Sequence, residues 1–176
     1  NEKRKTFLEE FVPVFQKYYE IVSGTNEQVA INYNSALNEK NYQDLLAESL
    51  NHDKYSTYTN GGVHKDDLLF LIDGHLVKQF ASQGQQKSFL IALKLAQYRI
   101  IAQACGEKPI LLLDDLFDKL DEERLSRLVT LTSSDDFGQV FITDCNRERI
   151  ISVLRHSGLS FSLFGVEGGV VGKEEV

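Results

Sequence analysis

The 176-residue sequence contains no methionine, its first residue Asn1 included, so an incomplete chain is expected: a cut fragment, or one from which residues are missing. Cysteine is nearly absent. Cys105 and Cys145 stand apart with no metal-ligand spacing, and His52, His64, His75 and His156 are equally scattered. Neither a disulfide framework nor a zinc site is expected, which suits a reducing cytoplasm. Long apolar runs are missing too. Ile110–Leu113 falls far short of the roughly 20 apolar residues that a bilayer crossing needs, and no charged-then-apolar leader opens the chain. Neither membrane insertion nor secretion is expected. Positive charge is not in excess: 19 Lys and Arg against 26 Asp and Glu give a net charge of −7. Gripping nucleic-acid phosphates calls for clustered cations, and here the basic residues are mostly interleaved with acids. This segment alone is expected to add little affinity for DNA. Finally, no G-x-x-x-x-G-K-[ST] occurs anywhere, so that type of phosphate cradle is absent.

What is present reads as globular, with 42% hydrophobic and 26% charged residues, enough for one compact domain or a smaller one with an appendage. Phe7, Leu8, Phe11, Val12, Phe15, Tyr18 and Val22 recur at helical spacing over 2–22, with Gly24 as a stop. Pro13 should kink that helix or mark its true beginning. Val29, Ile31 and Tyr33 alternate as in a half-exposed strand, and 41–52 reads as a helix with Leu45, Leu46 and Leu50 on one side. Residues 1–60 are therefore expected to form a helical arm segment with a short strand and no catalytic residue. Asn60-Gly61-Gly62 marks a boundary, leaving 61–176 as a second unit.

In that unit Leu68–Ile72 and Leu76–Phe80 flank Asp73-Gly74, a strong two-residue hairpin turn. A helix over 85–104 follows, apolar nearly all round and so expected to be buried. Then come a buried strand at 110–113, a helix over 122–131, a strand at 140–143, a helix near 147–155 and strands near 159–164 and 169–172. Strands alternating with helices after residue 105 imply an α/β layer with a parallel core.

The chemistry-bearing residues lie at element ends. Ser82-Gln83-Gly84-Gln85-Gln86-Lys87 opens the long helix. A capping box explains Ser82 and Gln85 structurally. The same geometry favours a phosphate, through free N–H groups and the positive end of the helix dipole, with Gly84 allowing close approach and Lys87 adding charge. Asp114 and Asp115 follow four aliphatics on a strand expected to be covered on both faces. Such a pair can hold Mg²⁺ and orient a water in phosphoryl transfer, and acids at a strand exit are also common. Asp118 lies one turn on, and Asp121 is a natural N-cap for the next helix. Thr143 and Asn146 end the second buried strand, where polar residues line the ligand crevice of parallel sheets or simply cap the strand. His64-Lys65-Asp66-Asp67 reads as a solvated, salt-bridged turn.

Ser82–Lys87, Lys94-Leu95-Ala96, Pro109–Asp121 and Gly62-x-His64-Lys65-Asp66-Asp67-Leu68 together resemble the RecF family, ABC-type ATPases related to SMC proteins, over roughly residues 58–155. By position, the first sixty residues look like the distal part of the arm inserted into the RecF head. The resemblance implies the C-terminal lobe of an ABC/SMC-type ATPase head, with a mostly parallel sheet core flanked by helices. It implies ATP and Mg²⁺ as cofactors of an ATP-dependent homodimer on DNA, near single-strand gaps, with RecO- and RecR-type partners. By residue match, Ser82, Gln83, Gly84 and Gln85 would be a signature turn contacting nucleotide across the dimer. Asp114 would be the Walker B magnesium ligand, and Asp115 would stand where a catalytic acid usually does. Asp118 and Asp121 would lie in the D-loop at the dimer seam. The pattern departs from the family at three points. The P-loop must lie upstream, Val63 and Lys65 stand where the family often has Pro and Arg, and the switch position, commonly His, falls nearest Asn146. Two other classes stay in view: a metal-dependent phosphohydrolase or nuclease using Asp114, Asp115 and Asp118, and a non-enzymatic docking module. Another SMC-like repair ATPase head is a nearer alternative that the Gly62–Leu68 cluster disfavours.

Overall fold

The computed structural model describes residues 1–114, 120–158 and 160–174. Helix α1 (Glu2–Ser23) forms on the expected stripe, with Phe11, Phe15, Tyr18, Tyr19 and Val22 buried, and Gly24 caps it in the left-handed conformation. Pro13 lies inside the helix, well past its first turn, so it does not mark the beginning. Strand β1 (Val29–Asn34) pairs antiparallel with β2 (Asp67–Ile72), from Val29 opposite Ile72 to Asn34 opposite Asp67. Between them, α2 (Tyr42–Ser56) starts at Asn41, whose side chain accepts from the Asp44 N–H, and buries no residue.

The hairpin turn is where the sequence puts it. Asp73 at φ 48° and Gly74 at φ 79° both take the positive φ that a type I′ connection requires. Its second strand is shorter than expected. β3 is only His75–Leu76, and Val77–Phe80 coils into one helical turn, α3. Lys78 and Gln79 break the alternation that a strand needs. Val77 and Ala81, four residues apart, both pack on the core, which is helical spacing.

Helix α4 (Gln83–Cys105) buries Phe89, Ile91, Ala92, Leu95, Ala96 and Tyr98. Its all-round apolar character overstated its burial: Leu90 is 57% and Ile101 43% exposed. Phe89 joins the layers, with its ring 4.6 Å from Phe15, 5.9 Å from Tyr19 and 5.5 Å from Phe70. The core thus runs from α1 to α4 and β2. Strands β4 (Leu111–Asp114) and β5 (Val140–Thr143) pair in parallel, Asp114 opposite Thr143, with α5 (Glu122–Thr132) between them in sequence and α6 (Arg147–His156) after them. β4 is not covered on both faces as expected: Leu111 and Leu113 are buried while Leu112 is 71% and the preceding Ile110 61% exposed, so among the described residues one face of the strand is open. A hairpin of β6 (Leu163–Glu167) and β7 (Val170–Glu174) ends the described chain. Among the described residues no helix is long and apolar enough to cross a membrane.

The His64–Asp67 cluster is not merely a solvated turn. The Asp66 side chain is 3% exposed and accepts from Arg4 Nη1 at 2.7 Å and from the Tyr33 hydroxyl, tying α1 and β1 to the start of β2. His64 Nε2 meets the Thr59 carbonyl at 2.8 Å, and Lys65 lies 5.1 Å over the Tyr58 ring. Burial pushes the Asp66 carboxyl up, but hydrogen bonds from Ser35, Tyr33 and Arg4 with the Arg4 charge outweigh it and hold it below the carboxylate range. The unfolded chain therefore binds the proton first as pH falls. Stability from Asp66 is present above its unfolded value of about 3.9 and is lost as pH drops through the lower folded value. Thermal melts should show a plateau above about pH 5 and a decline below about pH 4, with the decline reduced in Asp66→Asn. An unchanged decline in that variant would contradict the assignment.

Candidate functional site

Ser82, in an extended conformation, caps α4 with a complete capping box: the Gln85 N–H donates to Ser82 Oγ at 3.2 Å and the Ser82 N–H to Gln85 Oε1 at 2.7 Å. The box accounts for both residues and leaves chemistry over. The Gln83 and Gly84 N–H groups have no carbonyl four residues back, and the Ser82 hydroxyl, an acceptor in the cap, keeps its own proton to donate. Ser82 and Gln83 are exposed, and Gly84 and Lys87 half-buried. A Cβ on Gly84 would come within 2.5 Å of Arg124 Nη1, so any larger residue would push that guanidinium away from the turn.

Arg124 carries the contact into α5. Asp121 caps that helix, accepting from the Arg124 N–H at 2.9 Å through Oδ1 and from Arg124 Nη1 at 2.9 Å through Oδ2. The backbone N–H bond, helped by the Arg124 and Arg127 charges, holds the Asp121 carboxyl below the ordinary range against an opposing push from burial. On the other side, Gln85 Nε2 donates to Glu27 Oε1 at 2.7 Å.

Asp114 and Thr143 meet at the carboxyl ends of the parallel strands, where the Thr143 hydroxyl donates to Asp114 Oδ1. Asp114 is exposed. An exposed carboxylate beside a hydroxyl is an all-oxygen donor set, which fits a hard cation such as Mg²⁺. Asn146 caps α6 by accepting from the Arg149 N–H at 3.1 Å, and its own N–H donates to Asp144 at 2.6 Å. Arg149 Nη2 donates to the Leu120 carbonyl at 2.8 Å, joining α6 to the residue before Asp121. Asp115 and Asp118 lie outside the described residues. The structure therefore brings Gly84 against Arg124 and Arg124 against Asp121, joins Ser82 to Gln85 and Gln85 to Glu27, and sets Asp114 against Thr143 and Asn146 against Arg149. Among the described residues no three His, Cys, Asp or Glu side chains are grouped to hold a metal ion.

Sequence reasoning missed Glu27 and Arg124. Glu27 is 58 residues from Gln85 and belongs to no periodic pattern. Arg124 looks like an ordinary first-turn residue, and only a glycine at the start of an otherwise good helix hinted that something approaches.

No family model matches the chain. It is 48% identical over 165 residues to the DNA replication and repair protein RecF of Flavobacterium johnsoniae, covering 94% of this chain and 46% of that protein. A solved structure described as the recombination mediator protein RecF-ATPrS in the RecFOR pathway superposes with a TM-score of 0.74 at 27% identity, covering 97% of this chain and 45% of the other. An SMC head bound to the C-terminal winged-helix domain of ScpA gives 0.55 at 17% identity over 95% of this chain, a likeness of fold alone. The chain spans about half the length of the curated relatives it matches. Sequence and fold agree: the chain is similar to RecF proteins, matching a segment that makes up about 46% of their length.

Proposed function

We propose that this chain is the C-terminal part of a RecF-type ATPase and supplies the second wall of a nucleotide site shared between two copies. Ser82, Gln83, Gly84 and Gln85, with Lys87, form the signature turn that meets the partner's bound ATP. Asp114 holds Mg²⁺ directly or through water. Asp115 orients the attacking water, and Asp118 and Asp121 lie at the dimer seam. Thr143 and Asn146 sit where a switch senses the γ-phosphate. One observation carries the reading: the Arg124 guanidinium sits close against Gly84 and bonds Asp121, and polar contacts run from Leu120 through Arg149 to Asn146. They link the starts of α4, α5 and α6. The open face of β4, with Ile110 and Leu112 outward, supports a sheet completed by further polypeptide. On this reading residues 1–60 are arm and 61–176 head lobe, although α1 and β1 pack on the lobe.

When bound, Mg²⁺ neutralises charge on the phosphate oxygens, and the residues of this chain orient and enclose. The whole protein acts on DNA in the cytoplasm, in recombinational repair, as an ATP-dependent homodimer with RecO- and RecR-type partners. Each contact offered here is a second-side contact, and one helix terminus contributes only about 1 kcal/mol. The purified 176-residue chain is therefore expected to hydrolyse no ATP. The full-length protein should double its mass by light scattering with a non-hydrolysable ATP analogue. Turnover by this chain alone, or cleavage of a phosphoester without nucleotide, would overturn the shared-site reading.

A further inference from the structure

Glu27 lies in the turn between α1 and β1, half-buried, and its carboxylate is fully engaged. Oε2 accepts from the Tyr19 hydroxyl at 2.5 Å and from Thr25 Oγ1 at 2.9 Å, while Oε1 accepts from Gln85 Nε2 at 2.7 Å. Tyr19 is itself fully buried, so Glu27 is anchored on the α1 side by a group that cannot move freely. The bond to Gln85 decides which way that amide faces. With its NH₂ on Glu27, the Gln85 oxygen is left for the Ser82 N–H, at 2.7 Å. A flipped amide would lose both bonds. Arg124 packs against Gly84 in the same turn, and its positive charge also acts on the Glu27 carboxylate.

We infer that Glu27 is a positioning residue for the Ser82–Gln85 turn: it fixes the Gln85 amide through Tyr19 and so holds the turn in the conformation that receives a partner's phosphates. The inference rests on the proposed shared site. It assigns a part in nucleotide-driven pairing to a residue of the arm segment, far from every motif in the sequence.

In the full-length protein, Glu27→Ala should leave nucleotide binding by the monomer unchanged and weaken dimerisation by a non-hydrolysable ATP analogue about tenfold, the scale of one lost charged hydrogen bond. Glu27→Gln should stay within about threefold, because its amide oxygen can still accept from Gln85 and its NH₂ can donate to the Tyr19 oxygen. Tyr19→Phe removes the anchoring hydroxyl without touching any residue of the turn and should weaken dimerisation in the same direction, which keeps the test decisive should Glu27→Ala fold poorly. Dimerisation at the wild-type level in Glu27→Ala, or in Tyr19→Phe, would overturn the inference. So would a parallel loss of monomer nucleotide binding and melting temperature, which marks a merely structural role. Ser82→Arg run alongside separates the two ideas. If it still dimerises, the shared site itself is wrong, whereas if it alone fails, only the role of Glu27 is lost.

Discussion

Ser82→Arg in the full-length protein should abolish the nucleotide-induced dimer that the proposed shared site requires, while the monomer stays folded. The asymmetry follows from where Ser82 sits. It is exposed at the start of α4 and its folding contribution is a cap, so losing it costs about 1 kcal/mol of stability. For the proposed shared site the change is graver. The hydroxyl donor goes, and a long side chain lies over the first turn, beside the only position without a Cβ. A built-in obstruction of this kind is a specificity device in its own right. With a loss on the order of 2 kcal/mol at each blocked turn, and two remote turns adding independently, the dimer should weaken about a thousandfold. Analytical ultracentrifugation at matched nucleotide saturation reads this directly. A variant that dimerises within about threefold of wild type would show that the turn faces no phosphate.

Phe15→Ala tests the core. Phe15 is fully buried, 4.6 Å from Phe89 and 6.3 Å from Tyr19, so its removal leaves a cavity where α1 meets α4. Such truncations cost about 3–5 kcal/mol, against total stabilities of about 5–15 kcal/mol. For a chain of this size the melting temperature should fall by roughly 6–20 °C. A thermal melt followed by circular dichroism checks it. A shift of only a degree or two would mean that α1 is not docked on α4.

Much of this was legible in residue order. The stripe of Phe11, Phe15, Tyr18 and Val22 announced α1, Asp73-Gly74 announced its turn, and Ser82 with Gln85 announced the start of α4, because these signals are local and periodic. Asp114 and Thr143 could each be placed at a strand end, but their meeting depends on the parallel register of β4 and β5, which no local pattern encodes. The second hairpin strand was lost to helical spacing between Val77 and Ala81. The covering of β4 was overestimated because an aliphatic run shows only that a strand can be buried, not that neighbours exist to bury it. Asp66 looked like one more surface acid, since its partners Arg4 and Tyr33 arrive from far along the chain. Glu27 was invisible for the same reason, and Asp115 and Asp118 lie outside the described residues.

The docking of α1 on α4 also bears on how the polypeptide is made. The aromatic stripe of α1 finds its counterpart only when Phe89 arrives, about 70 residues later, and β1 finds its mate only at β2. At synthesis rates of about 5–20 residues per second, the nascent helix leaves the ribosome with its oily side bare for about 4–15 s. During that interval the growing chain is a natural client for holding chaperones, and the birth of the fold is set by the emergence of α4 rather than by the speed at which α1 can coil.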